Sequence, residues 1–329
     1  MSKPSSPSAP PDLRLPALRR FAIAITVVNL LGHTILGFEP SWAQMFTSLF
    51  TAYGLELLLE WIQARVEARP PRYRGSFVEL VNFLLPAHIT GLAIGMLLYA
   101  NDRLLPFAFA AAAAIASKAI LTAPVGKGRR HFMNPSNFGL AAAFLLLPDI
   151  VAMAVPYQFT AELMGFGDWL LPLIVICSGS FLNTFFTRRI PLVLAWLAGF
   201  ALQALVRHFL FGAALLPALS PMTGMAFLLF TFYMVPDPGT TPSAPSRQVL
   251  FGASVAAAYG LLLSLHVTFA PFLGLCLVCG VRGIALHLAH YREVRRAAPV
   301  PAAALAVPAP REVPAGVASA PAADGATPT

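Results

Sequence analysis

The chain has 329 residues, of which 57% are hydrophobic and only 11% charged, and its mean hydropathy is +0.72. Soluble globular chains carry about a quarter charged residues, so this composition excludes an ordinary soluble domain and points to lipid. The 22 Lys and Arg against 14 Asp and Glu give a net charge of +8, which in a membrane chain marks cytoplasmic helix ends and does not require nucleic acid.

Residues 1–20 are rich in Pro and Ser and predict a disordered cytoplasmic arm. The apolar run after Arg19 and Arg20 is long and lacks a small-residue cleavage site, so it reads as a retained first helix and not as a signal peptide. Ten apolar stretches follow, near 21–38, 43–63, 77–100, 104–123, 137–155, 169–187, 190–212, 219–236, 248–266 and 268–290. Most approach the ~20 residues that cross a bilayer. Pro86 makes the third a candidate for a broken or re-entrant segment. Together they predict an all-α membrane domain over 21–291 and an Ala/Pro-rich disordered tail over 297–329. With both termini cytoplasmic, the inner loops collect Arg65, Arg69, Arg72, Arg74, Lys127, Arg129, Arg130, Arg188, Arg189 and Arg247, while the outer loops hold Arg103 and Arg207. That asymmetry fixes the orientation. The abundance of Ala, Pro and Arg suggests a GC-rich bacterial genome, hence a bacterial plasma membrane.

Two inner loops repeat one signal. Asn134-Pro135 and Asp237-Pro238 each set a capping side chain before a proline, which needs no N–H at a helix start. In the first loop Gly126, Lys127, Gly128, Arg129 and Arg130 lead into Asn134, a pattern that could cradle a phosphate or anionic cofactor at a helix N-terminus. Read alone, the loop is more economically an anchor on anionic inner-leaflet lipid. Glu56 lies about 13 residues into the second stretch and Lys118 about 14 into the fourth, which at ~1.5 Å per residue sets them at one depth and predicts an intramembrane pair. Such a pair either fixes helix packing or lines a proton or cation path. Asn29 and His33 share a face of the first helix, and His88 follows Pro86; lone polar groups of this kind usually bond a neighbouring helix. Cys276 and Cys279, one turn apart in an apolar run, read as small packing residues, and neither they nor Cys177 suggest a disulfide framework. No constellation points to a catalytic residue or a metal site.

Four blocks carry a family resemblance. Ile89 to Met96 (ITGLAIGM), Phe132 to Gly139 (FMNPSNFG), Ser178 to Thr184 (SGSFLNT) and the segment from Phe227 through the Asp237 hinge resemble, in the same order, the motifs of the RnfD/NqrB family of membrane electron-transfer subunits. The strings VNFLLPAHITGLAIGMLLYANDRL and LFTFYMVPDPGTTP are most similar to its UnbU-type branch, found with enediyne biosynthesis. The resemblance implies a ten-helix bundle of two inverted five-helix repeats, similar to urea transporters, and an electron-transport subunit recruited to natural-product (antibiotic) biosynthesis. It also implies Lys127, Arg129, Arg130, Asn134, Ser136, Asp237, Thr240 and Thr241 as contacts for flavin mononucleotide or riboflavin. One departure matters. The family attaches flavin covalently in an outer-loop Ser/Thr-Gly-Ala-Thr motif, whereas the matching loop here, Asp149 to Asp168, has only Thr160 in Phe-Thr-Ala-Glu. The expectation is therefore at most a non-covalent flavin. Two rival readings stand beside it: a transporter or exporter on the same scaffold, and a membrane anchor for soluble biosynthetic enzymes. The partners implied are lipid and other subunits or biosynthetic enzymes, and the coupling ion, if any, is open.

Overall fold

The computed structural model describes residues 14–126, 128–155, 159–160 and 163–297. The chain divides into two compact units, residues 1–288 and 289–329. Of the second unit, the described residues 289–297 are helical, and the Arg295 guanidinium lies 5.1 Å from the Tyr291 ring centre.

In chain order the helices are α1 (Arg14–Leu31), α2 (Trp42–Val66), α3 (Phe77–Leu97), α4 (Leu105–Ile120), α5 (Pro135–Leu146), α6 (Phe166–Phe181), α7 (Ile190–Phe211), α8 (Leu215–Leu219), α9 (Met225–Leu229), α10 (Pro245–Ser264) and α11 (Ala270–Ala297). Wider π-helical turns extend α1 over Gly32–Leu36, α6 over Leu182–Phe186 and α9 over Phe230–Met234. The short strands pair antiparallel: β1 (Leu98–Tyr99) with β4 (Ala152–Met153), and β2 (Thr122–Val125) with β3 (Gly128–His131) as a hairpin between α4 and α5. Local chemistry explains the helix starts. Ser41 with Gln44, and Ser76 with Glu79, form reciprocal capping boxes at α2 and α3. Prolines that need no N–H open α4, α5, α7 and α10.

Among the described residues six helical segments are long and apolar enough to cross a membrane: Leu15–Leu36, Phe77–Leu97, Phe166–Phe186, Ile190–Phe211, Pro245–Ser264 and Ala270–Arg296. The pair Leu215–Thr223 and Met225–Met234, bent by 67°, makes a seventh if it is one span. The expected second, fourth and fifth spans fall outside this set. In α2 the polar residues Gln44, Glu56 and Glu60 dilute the apolar run, and α4 and α5 have only 16 and 12 residues. Large apolar side chains such as Ile23, Leu173, Leu202, Phe209 and Ile284 are exposed along these helices, as a lipid-facing surface requires. Among the spans α3 is the most enclosed, 56% buried against 22% for the α6 segment, so α3 is central and α6 peripheral.

Three expectations need correcting. Helix α1 begins at Arg14, inside the stretch expected as a disordered arm; Arg19 Nε donates to Asn82 Oδ1 at 3.0 Å and Arg20 lies 4.4 Å over the Phe186 ring, so these arginines dock on neighbouring elements. Residues 1–13 and the tail beyond 297 lie outside the described residues. Pro86 does not break α3, which runs unbroken through it; the bend falls at Gly224 instead. Finally, Asp237 does not start a helix. The residue before α10 is Ala244, and Pro245, not Pro238, occupies its first turn.

Among the described residues two hydrophobic cores hold the bundle. One gathers Ile94, Phe107, Phe144, Trp196, Phe230 and Phe272 from α3, α4, α5, α7, the last π-turn and α11. The other joins Ile25, Met45, Leu92, Val175 and Phe232 from α1, α2, α3, α6 and that same π-turn. Close helix approach needs glycine where an added β-carbon would strike a backbone oxygen. A β-carbon at Gly139 would run into the Ala110 carbonyl oxygen where α5 meets α4, and one at Gly252 would run into the Leu192 carbonyl oxygen where α10 meets α7.

Candidate functional site

The π-turn Phe230–Met234 is where the two motif-bearing loops meet. A π-turn widens the backbone and offers carbonyls to side chains outside the ladder. Asn134 Nδ2 donates to the Met234 carbonyl at 3.1 Å, Asn183 Nδ2 donates to the Phe232 carbonyl at 2.8 Å, and Trp196 Nε1 donates to Thr231 Oγ1 at 2.9 Å. The π-turn is thus gripped from the start of α5, from the π-turn after α6 and from α7. All three grips are buried, so each exchanges a desolvated polar group for a satisfied one.

Asn134 also caps α5: its Oδ1 accepts from the Asn137 N–H at 3.1 Å and the Ser136 hydroxyl at 3.0 Å. Three residues beyond Met234, Asp237 organises a turn. Its Oδ1 accepts from the Gly239 N–H at 3.0 Å, its Oδ2 from the Thr240 hydroxyl at 3.0 Å, and its carbonyl from the Thr241 hydroxyl at 2.6 Å. Asn137 Nδ2 ties α5 to α11 through the Phe272 carbonyl at 2.9 Å and Cys276 Sγ at 3.1 Å.

A set of charges surrounds these loops. Lys118 Nζ donates to both Glu56 oxygens, at 2.6 and 2.7 Å, with each side chain about one-sixth exposed (17% and 15%). His131, at the end of β3, faces Asp237 across Gly239: a β-carbon there would sit 3.2 Å from His131 Nε2 and 3.3 Å from Asp237 Oδ1. Burial pushes the His131 imidazole below its usual range, against the pull of Asp237 and Glu56, while Lys118 and Arg130 push it down further. Arg189, just before α7, is buried at 6% exposure with Nε unpartnered and makes no salt bridge among the described residues. Burial lowers its affinity for the proton, Asp237 opposes that, and Arg282 adds to it.

The structure therefore brings Asn134, Ser136, Asp237, Thr240 and Thr241 to one neighbourhood and pairs Glu56 with Lys118. The hydroxyls of Ser136, Thr240 and Thr241 and the side chain of Asn134 are engaged in bonds within the protein. Arg129 is exposed and spends its guanidinium on Thr122, at 3.1 Å to Oγ1 and 3.1 Å to the carbonyl; Arg130 is exposed, and Lys127 lies outside the described residues. Contacts with an anionic ligand would thus fall to Arg130, Arg189 and His131 sooner than to the threonines. His131 and Arg189 escaped the sequence reading. Each sits in a basic pair or triplet, and nothing in the string says which member turns inward. His88 bridges helices: its ring nitrogens lie 2.7 Å from Thr26 Oγ1 and 2.5 Å from Tyr53 Oη. Thr26 gives its one hydroxyl proton to the Ala22 carbonyl, so His88 Nε2–H donates to Thr26 and Nδ1 accepts from Tyr53. Among the described residues no group of three or more His, Cys, Asp or Glu is arranged to hold a metal.

Fold and site together define a class: a mostly helical, multi-pass membrane protein whose polar residues converge on one buried π-turn. Beyond that class, no family model and no curated protein matches the chain.

Proposed function

We propose that this chain is a membrane-embedded electron-transport subunit of the RnfD/NqrB type, carrying at most a non-covalent flavin and serving enediyne-type natural-product biosynthesis. On this reading α2, α4, α5 and the bent α8–α9 pair complete a ten-span bundle of two inverted five-helix repeats. The observation that supports it most is that the two loops bearing the family-like blocks, 132–139 and 227–241, come together at the Phe230–Met234 π-turn through the Asn134–Met234 bond. One feature parallels across the halves: α1 and α6, the first helix of each proposed repeat, both end in π-turns.

A second reading, a transporter on the same scaffold, draws on the 67° bend at Gly224 beside that π-turn, because interrupted helices commonly line substrate paths. Absorbance of natively purified protein separates the two. A flavin spectrum that bleaches on reduction supports electron transport. Colourless protein that carries solute flux in proteoliposomes supports the transporter, and colourless, flux-free protein that co-purifies soluble enzymes supports an anchor.

A further inference from the structure

The link between α2 and α3 forms a cavity of about 780 Å³ lined by Trp61, Arg65, Arg69, Pro71, Tyr73 and Arg74. Its wall is built by one carboxylate. Glu60, 5% exposed, takes Arg69 Nη1 at 2.6 Å, Arg72 Nε at 3.1 Å and the Arg72 N–H at 2.8 Å. Glu67 takes Arg69 Nε as well. The Arg69 N–H bonds the Ala64 carbonyl at 3.0 Å, and Pro70 and Pro71 stiffen the backbone between Arg69 and Arg72. Tyr73 is held against Phe83, with ring centres 5.7 Å apart.

The charges then sort themselves. Glu60 and Glu67 neutralise Arg69 and Arg72, while Arg65 and Arg74 make no salt bridge among the described residues. Arg65 rests over the Trp61 ring at 5.3 Å. The cavity therefore presents two uncompensated guanidiniums and two aromatic rings, at a loop that ends three residues before the membrane-crossing segment beginning at Phe77. Trp, Tyr and Arg are the residues that suit the headgroup level of a bilayer. Apolar surface runs away from the cavity on both flanks. Leu58, Ile62 and Val66 form an exposed i, i+4, i+8 stripe on α2, and Phe77, Val78 and Val81 are exposed on α3.

We infer that this cavity binds an anionic phospholipid, its phosphate on Arg65 and Arg74 and its acyl chains along the two apolar flanks. A phosphodiester brings a negative charge and acceptor oxygens to these two guanidinium donors. A soluble phosphate would use the cations but leave the stripes without a role. A zwitterionic lipid would use the stripes but bring its own cation to a positive wall.

The test is native mass spectrometry of the full chain in detergent, titrated with dioleoyl phosphatidylglycerol, dioleoyl phosphatidylcholine or chain-free glycerol phosphate. The expected result is preferential retention of phosphatidylglycerol by the wild type. The preference should fall about tenfold or more in R65A/R74A, given the gain per basic residue near an anionic surface, and persist in R65K/R74K. Should the alanine variant misfold, photo-crosslinking of a diazirine phosphatidylglycerol to the wild type should label residues 61–74. Equal retention of both lipids, an unchanged preference in R65A/R74A, or crosslinks confined to other segments would overturn the proposal. Glycerol phosphate binding as tightly as the lipid would overturn it too, by showing a soluble-phosphate site.

Discussion

The hinges at Asn134 and Asp237 begin with the same two-residue signal and end in different structures. After Asn134-Pro135 the helix starts at once, with the asparagine capping the Asn137 N–H. After Asp237-Pro238 the aspartate caps only a turn, and α10 waits until Pro245. The next few residues explain the difference. Ser-Asn-Phe-Gly-Leu-Ala leaves every N–H free for the helical ladder, whereas Gly239-Thr240-Thr241-Pro242 places a proline where the first full turn would form. Pro242 supplies no N–H and biases Thr241 away from helical angles. A cap-plus-proline signal therefore nucleates a turn, and the residue four positions on decides whether a helix grows from it. The first hinge is bonded across the bundle through Met234, and the second is a polar loop closed by its own side-chain bonds.

The comparison can be broken at several strengths. The largest effect belongs to the Glu56–Lys118 pair, whose charges face His131 at the first hinge. Removing one partner by Glu56→Gln or Lys118→Met should cost about 3 kcal/mol by stranding the other charge, while the double substitution recovers most of the loss. Thermal unfolding in detergent measures both, and an unchanged midpoint in either single variant would rule out a stabilising pair. Next come the glycines that seat the helix after each hinge. Gly139→Ala and Gly252→Ala should each destabilise by about 2 kcal/mol, because the added carbon meets a backbone oxygen that cannot turn aside.

The hinges themselves should differ. Asn134→Ala removes a cap and a buried cross-bundle bond and should cost about 1–2 kcal/mol. Asp237→Ala loosens a half-buried turn and should cost under ~1 kcal/mol. Equal losses in chemical-denaturant titrations would mean that the hinges are equivalent after all. The smallest effect is a pH dependence. His131 is held below its usual value of 6.5 in the folded state, so the unfolded chain binds more protons in the window beneath that value. The stability from keeping it neutral is complete above 6.5 and is lost as pH falls through and below it. His131→Gln should flatten that slope in pH-resolved thermal melts.

The string made some of this legible for identifiable reasons. Asn134 was readable because its signal is local and complete within four residues. The Glu56–Lys118 pairing was readable because two charges at one depth in apolar runs have few alternatives. Pro86 misled because a proline tells only that one ladder bond is lost, and α3, the most enclosed of the spans, continues as helix through it. The π-turn at Phe230–Met234 has no such local marker, since the side chains that grip it, Asn183 and Trp196, come from elsewhere in the chain. The inward turn of Arg189 and the pairing of Asn134 with Met234 are likewise tertiary facts, spread over a hundred residues.

The central claim, that this chain carries at most a non-covalent flavin, is tested most directly by weighing the protein twice after co-expression with a flavin transferase. Native mass spectrometry should find flavin mononucleotide or riboflavin bound to the wild type and lost in an Arg189→Met variant that still folds. Denaturing intact-mass analysis with in-gel fluorescence should find the bare chain, since the loop around Thr160 lacks the Ser/Thr-Gly-Ala-Thr acceptor. A flavin mass that survives denaturation on Thr160 would contradict the account, whereas a wild type that carries no flavin under either condition would shift weight to the transporter reading.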